Sequence, residues 1–285
     1  MAIPREWIPV LFSIQSNKIN MLMKRLFCSL ITLLVIFLFP QDSSAQFSGM
    51  LNKVKSSVGK TVKEKGKQSV DNSIRNSNLK NSEKEEFKYG DHTYVLQGNF
   101  KVEAYSKHAA GRVTFTHIPS DYEEFEAVYQ FLGKTPHGAA AMMPMAMEIF
   151  GRNREVGEKC IRLLCYPSNV NTVLSLLKDK FGSTDDGYHQ RYLPAAVLEG
   201  ATPQNGYNPT EPYTVTMYAS VNKHQDMQLY DGRVMYIYIM GKGWDTEQRS
   251  IEIVKTSTSE LCQIFNCPAL LTQCKRIQGT WNGLK

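Results

Sequence analysis

The sequence predicts an α+β domain: an antiparallel sheet with a group of about three helices packed on one face. Strand-like alternation appears at both ends of the region that follows residue 86. Helical periodicity fills its middle, and Gly- and Asp-rich turns separate the late strands. A doubly wound fold would need strictly alternating strand and helix units, and these are missing.

The first strands are expected over 92–105, where β-formers are broken by Gly98, and over 112–118. In the latter, Val113, Phe115 and His117 share one face of an alternating run. A helix should follow. Ser120 or Asp121 can cap it, Glu123 and Glu124 suit its positive start, and Tyr122, Phe125, Val128, Tyr129 and Leu132 form its apolar stripe up to Gly133. Residues 138–150 are apolar nearly all round, the profile of a helix buried on most sides, with Pro144 either kinking it or starting it afresh. A third helix is expected over 168–181, capped by Ser168 or Asn169 and stopped by Gly182. Residues 183–211 are rich in Gly, Pro, Asn and Asp and read as a long loop with one short turn near Ala195 to Leu198. Strands then return at 213–221, at 233–240 (apolar on both faces, hence central) and at 249–255. A final strand running into a helical turn closes the domain within Leu261 to Leu271.

Upstream of the domain the chain divides into three parts. Lys24 and Arg25 precede a 14-residue apolar run, Leu26 to Phe39, ended by Pro40; Ser43-Ser44-Ala45 then offers small residues before Gln46. This is the pattern of a cleaved secretory signal peptide over 21–45, too short to span the roughly 30 Å bilayer core. Residues 1–20 precede a plausible start at Met21 or Met23 and read as an over-called segment. Residues 46–86 read as a basic polar linker or a thin amphipathic helix, because Phe47, Leu51, Val54, Val58 and Val62 recur at helical spacing in a Lys-, Ser- and Asn-rich background. The globular domain is placed at 87–285. The expected location is therefore periplasmic or extracellular.

Charge is unevenly placed. The chain carries +6, yet residues 46–85 alone hold nine Lys/Arg against four acids. The domain itself is near neutral, without the basic patch and reader fold that nucleic-acid binding needs. A solvated linker is the plain reading of the basic segment, and weak contact with a membrane surface is its functional alternative. Of six cysteines, Cys28 lies in the apolar leader. The other five (Cys160, Cys165, Cys262, Cys267 and Cys274) are an odd number, and their spacing does not match a zinc site. No metal site and no cofactor is expected.

The stretch from Glu124 to Leu164, with its GAAAM run after a helix ending in Leu132-Gly133, and the later YIMGKGWDTEQRSIEIVK strand pair resemble a family of uncharacterised exported Bacteroidetes proteins known only as a domain of unknown function. The similarity spans about residues 87–274. It departs at SELCQIFNCPALL, where that family tends to place a tryptophan-rich strand. The resemblance implies export and an α+β domain, and it implies no activity, cofactor or catalytic residue.

No nucleophile elbow, Walker loop, HExxH motif or dinucleotide fingerprint is present. The six histidines have no i, i+4 pair. Weak candidates remain. His137 and Gly138 open the apolar helix, where exposed backbone N–H groups could hold an anion. Asp185 and Asp186, with His189, lie on the long loop. Trp244 follows a Gly-Lys-Gly turn beside Asp245, Glu247 and Arg249, and an exposed Trp there would suit sugar stacking. The reading this supports is a non-enzymatic exported module that binds an envelope protein or a small ligand. The alternative is an envelope hydrolase whose residues (His137, Asp185, Asp186, His189 and Asp245) converge only in the fold.

Overall fold

The computed structural model describes residues 71–102, 106–182, 190–220 and 232–285, and the backbone of 226–228. These belong to one compact unit, Lys67–Lys285. Residues 1–20, the segment 21–45 read as a signal peptide and most of the basic segment lie outside the described residues. Helix α1 occupies 71–81. It is followed by β1 (Lys84–Tyr89), β2 (His92–Gly98) and β3 (Ala110–Phe115). Four helices come next: α2 (Tyr122–Leu132), α3 (Pro136–Arg152), α4 (Arg154–Leu164) and α5 (Val170–Lys180). Strands β4 (Tyr213–Ala219), β5 (Asp226–Gln228), β6 (Gly232–Met240), β7 (Gln248–Thr256) and β8 (Gln263–Asn266) complete the chain, with short 3₁₀ turns at Ala195–Val197 and Pro268–Leu271.

The strands form one antiparallel sheet in the order β1-β2-β3-β4-β6-β7-β8. β5 runs along the same side of β6 as β4, since Ala219 faces Ile237 and Asp226 faces Met235. The fold is α+β with an antiparallel sheet, as the alternation predicts.

Side-chain alternation builds the core. Tyr94, Leu96, Val113, Phe115, Val215 and Met217 all point to one face and are buried there. Against that face lies α3, which contacts β3, β6, β7 and β8 as well as α2 and α4. Its all-round apolar sequence is thus explained by burial on every side. The helix runs through Pro144 without ending. Among the described residues no helix is long and apolar enough to cross a membrane. Asn153 ends α3 and opens α4: its N–H donates to Ile149 O at 2.8 Å while its Oδ1 accepts from Val156 N at 3.3 Å.

Three features differ from the sequence reading. The sheet begins at Lys84, within the segment read as linker, because β1 is an edge strand whose sequence KEEFKY half-buries only Phe87. Helix α4 is additional, formed where Cys160, Ile161 and Leu164 supply a buried stripe among charged residues. Helix α1 lies against the opposite face of the sheet from α2–α4. Gln97 Nε2 donates to Leu79 O at 2.8 Å, Tyr218 Oη donates to Asn76 Oδ1 at 3.0 Å, and Arg75 Nη2 reaches Ala219 O at 3.0 Å.

Candidate functional site

Three described polar groups meet where the β2–β3 pair ends and α2 begins. Tyr94 faces Phe115 in the ladder, and the next rung is held by Thr116 N donating to Thr93 O at 3.1 Å. Extending this register sets His92 opposite His117. Both stand two residues from core-facing aromatics, so both point to the helical side of the sheet. Their imidazoles stack, with ring centroids 3.9 Å apart and planes 21° from parallel.

Glu124 reaches the same point from the first turn of α2. Asp121 caps that helix by accepting from Glu124 N at 2.8 Å. The Glu124 carboxylate turns back, and its Oε2 accepts from Ser120 N at 2.8 Å and from Ser120 Oγ at 3.2 Å, a variant of the capping box. Its Oε1 contacts His92 Nδ1 at 2.8 Å and accepts from Tyr94 Oη at 2.9 Å. One ligand atom each from His92, His117 and Glu124 lies within 4.8 Å of the other two. Glu124 is buried, whereas the His92 side chain is 36% exposed, so the corner opens to solvent on the His92 side.

Electrostatics follow from this placement. Burial pushes the Glu124 carboxyl up, but hydrogen bonds from Ser120, His92 and Tyr94 outweigh it and leave the group below its ordinary range. Burial, then the charge of His92, hold the His117 imidazole below its ordinary value; Glu124 opposes them and Arg152 adds to them. Arg152 is itself neutralised: its Nε donates to the buried Glu148 Oε1 at 2.9 Å, and its Nη2 donates to Leu284 O. Arg191 approaches the same Glu148 oxygen at 3.4 Å, with the Phe181 and Trp281 rings near its guanidinium. Glu148 and the two arginines thus hold α3 against the chain after residue 190 and the C-terminal residues. Burial raises the Glu148 carboxyl against the pull of both arginines.

The sequence candidates do not gather there. His137 is fully buried, with neither ring nitrogen hydrogen-bonded, and stacks on Phe100 at 5.3 Å. A Cβ at Gly98 would lie 2.6 Å from His137 Nε2, and one at Gly111 would lie 2.6 Å from three atoms of the same side chain. The two glycines therefore leave the room His137 fills, and burial alone lowers its pKa to about 3. The Gly138 N–H expected to be exposed donates to Thr135 Oγ1 at 3.1 Å and is buried. Trp244 is buried; its Nε1 donates to Thr272 O at 3.3 Å, and the Arg249 guanidinium lies 4.6 Å from its ring centroid. That aromatic face is occupied rather than open to a sugar. Asp245 is 97% exposed and pairs with Lys275 at 2.9 Å. Asp185, Asp186 and His189 lie outside the described residues. His137 and Asp245 do not meet, since one lies inside the core and the other in solvent.

His92, His117 and Glu124 were missed because their proximity depends on strand register and a helix cap, neither of which leaves a short motif. One signal was present: His117 shares the buried-face alternation of Val113 and Phe115. The five described cysteines are all buried thiols. Burial pushes the Cys160 and Cys165 thiols up to about 12 and the Cys274 thiol to about 11.

Fold and site together define a single-sheet α+β domain with a histidine–carboxylate corner at one end of the sheet. Residues 117–278 match the family described as Domain of unknown function (DUF6935), and the chain belongs to that family. His117 and Glu124 fall within the matched stretch, and His92 precedes it. No curated protein and no solved structure matches the chain.

Proposed function

We propose that this chain is an exported, non-enzymatic binding module of the cell envelope, and that it takes a small polar ligand at the His92–His117–Glu124 corner. Export is supported by the leader over 21–45, with its basic start, apolar run and small residues before Gln46.

The order of groups in the corner carries the binding reading. In a Ser-His-acid triad the imidazole stands between hydroxyl and carboxylate, so that it can take the hydroxyl proton. Here the carboxylate stands in the middle: Tyr94 Oη donates to Glu124, and the Ser120 hydroxyl lies between Glu124 and Asp121, so both hydroxyls face carboxylates rather than an imidazole. A hydroxyl that donates to a carboxylate held in a helix cap is positioned, not activated. Such a corner presents fixed donors and acceptors at a half-open surface, which is what a binding site needs.

Two experiments test the reading. N-terminal sequencing of the protein from the envelope fraction should give Gln46 or a near neighbour, and an intact leader on cytosolic protein would refute export. Chromogenic ester, glycoside and peptide substrates should not turn over. Hydrolysis lost on His117→Ala or Glu124→Gln, in protein that still melts cooperatively, would establish the hydrolase alternative instead.

A further inference from the structure

We infer that the ligand of the His92–His117–Glu124 corner is a divalent transition-metal ion of the zinc class. The inference rests on the reading of that corner as the ligand seat, but not on export.

The donor set comes first. Two imidazole nitrogens and one carboxylate oxygen suit zinc and its late first-row neighbours. Calcium and magnesium prefer all-oxygen shells. Three protein ligands with one position left open is the arrangement of an accessible zinc site.

Geometry comes second. The three ligand atoms already lie within 4.8 Å of one another. Bonds of roughly 2.0–2.2 Å to a tetrahedral ion need donors about 3.3 Å apart. The stacked rings must therefore swing slightly, and His92 Nδ1 must move off Glu124 Oε1 to admit the ion. His92 is the group free to do this, being half-exposed at the end of its strand.

The support around the ligands comes third. Glu124 Oε2 is held by the backbone and hydroxyl of Ser120, so Oε1 is presented to the ion in a fixed direction. Tyr94 Oη donates to that same oxygen, the kind of outer contact that orients a metal-binding carboxylate. Arg152, whose charge acts on His117, is paired with Glu148.

The test uses tag-free protein purified from cells expressing the full reading frame, stripped with chelator and titrated with Zn²⁺ by calorimetry. One ion per chain is expected. His92→Ala and His117→Ala should each weaken binding at least tenfold while their metal-free melting curves stay cooperative. Tyr94→Phe should weaken it by less. Co²⁺ loaded in place of Zn²⁺ should show weak visible bands without the intense near-ultraviolet band of a cobalt–thiolate bond. Absence of saturable binding, binding unchanged in both histidine variants, or a thiolate band that survives them would overturn the inference. The substrate panel and fractionation above do not involve metal, so failure here is distinguishable from failure of the binding-module reading.

Discussion

The imidazole of His137 fills the space that a side chain at Gly111 would occupy: a Cβ there would sit 2.6 Å from Cβ, Cγ and Cδ2 of the histidine. Gly111→Ala should therefore overpack this part of the core and destabilise the fold by about 1–3 kcal/mol. The contact is specific, so the penalty should shrink when His137 is also shortened. Urea denaturation of Gly111→Ala, His137→Ala and the double variant checks this. A double variant at least as unstable as the sum of the singles would contradict the contact.

His137 also predicts how the protein responds to acid. Its pKa falls from 6.5 to about 3 in the folded state because burial disfavours the charged ring. The unfolded chain therefore binds the extra proton first. Stability from this group is intact above pH 6.5 and is lost as pH falls from there toward about 3, at about 1.4 kcal/mol per pH unit. A loss of roughly 2 kcal/mol should appear by about pH 5. His137→Leu conserves volume and removes a buried group with no hydrogen bond. It should be neutral or stabilising at pH 7.5 and should flatten the acid limb, measured by thermal melts across pH.

Glu124 ties α2 and the loop before it to β2 through Ser120, Tyr94 and His92. Glu124→Ala removes the carboxylate and strands the buried Tyr94 hydroxyl, so a loss of about 2–4 kcal/mol is expected. Its carboxyl is held below the ordinary range, so this contribution exists above its unfolded pKa and disappears as pH falls through the folded value. Glu124→Gln should retain part of the cap. Denaturant melts of both variants would reveal a purely surface role if neither moved.

Glu148 should matter for a different reason. Its buried Oε1, near the end of α3, is shared by Arg152 of the same helix and Arg191. Glu148→Ala leaves two partly buried guanidinium groups without their counter-charge, and about 3–5 kcal/mol of destabilisation is expected. Glu148→Gln should cost less, because an amide oxygen can still accept. Calorimetric melting temperatures rank the two.

The thiols give a fifth readout. All five described cysteines are buried, and burial holds the Cys160, Cys165, Cys267 and Cys274 thiols above their ordinary pKa, so the thiolate is scarce and shielded. A colorimetric thiol reagent at pH 8 should react negligibly with native protein from which Cys28 has been removed. It should count five thiols once guanidinium unfolds the chain. Fast labelling of the native state would mean the core opens locally.

Periodicity made much of the fold legible. The alternation from Tyr213 onward, the stripe from Tyr122 to Leu132 and the all-apolar run around Met142 each became the element expected, because each buries the face its spacing defines. Periodicity failed where burial is slight. β1 buries too little to show alternation, and α4 carries its few buried residues among Arg, Glu and Lys. The candidate corner was illegible for another reason. His92 and His117 are brought together by strand register, and their third partner serves a helix cap. Gly98 and Gly111 likewise carried no readable meaning until His137 was seen between them.

Helix α1 and the first half of strand β1, Lys84 to Glu86, lie before Phe87, where the sequence alone would begin the domain. A fragment cut at Phe87 would leave Val95, Leu96 and Gln97 of β2 without their β1 partners, a border stretch with unsatisfied amides. It would also strip the cover from Gln97 and Tyr218 on the outer surface. Recombinant pieces trimmed that way should self-associate and precipitate, whereas those retaining residues from well upstream of 71 should stay dispersed.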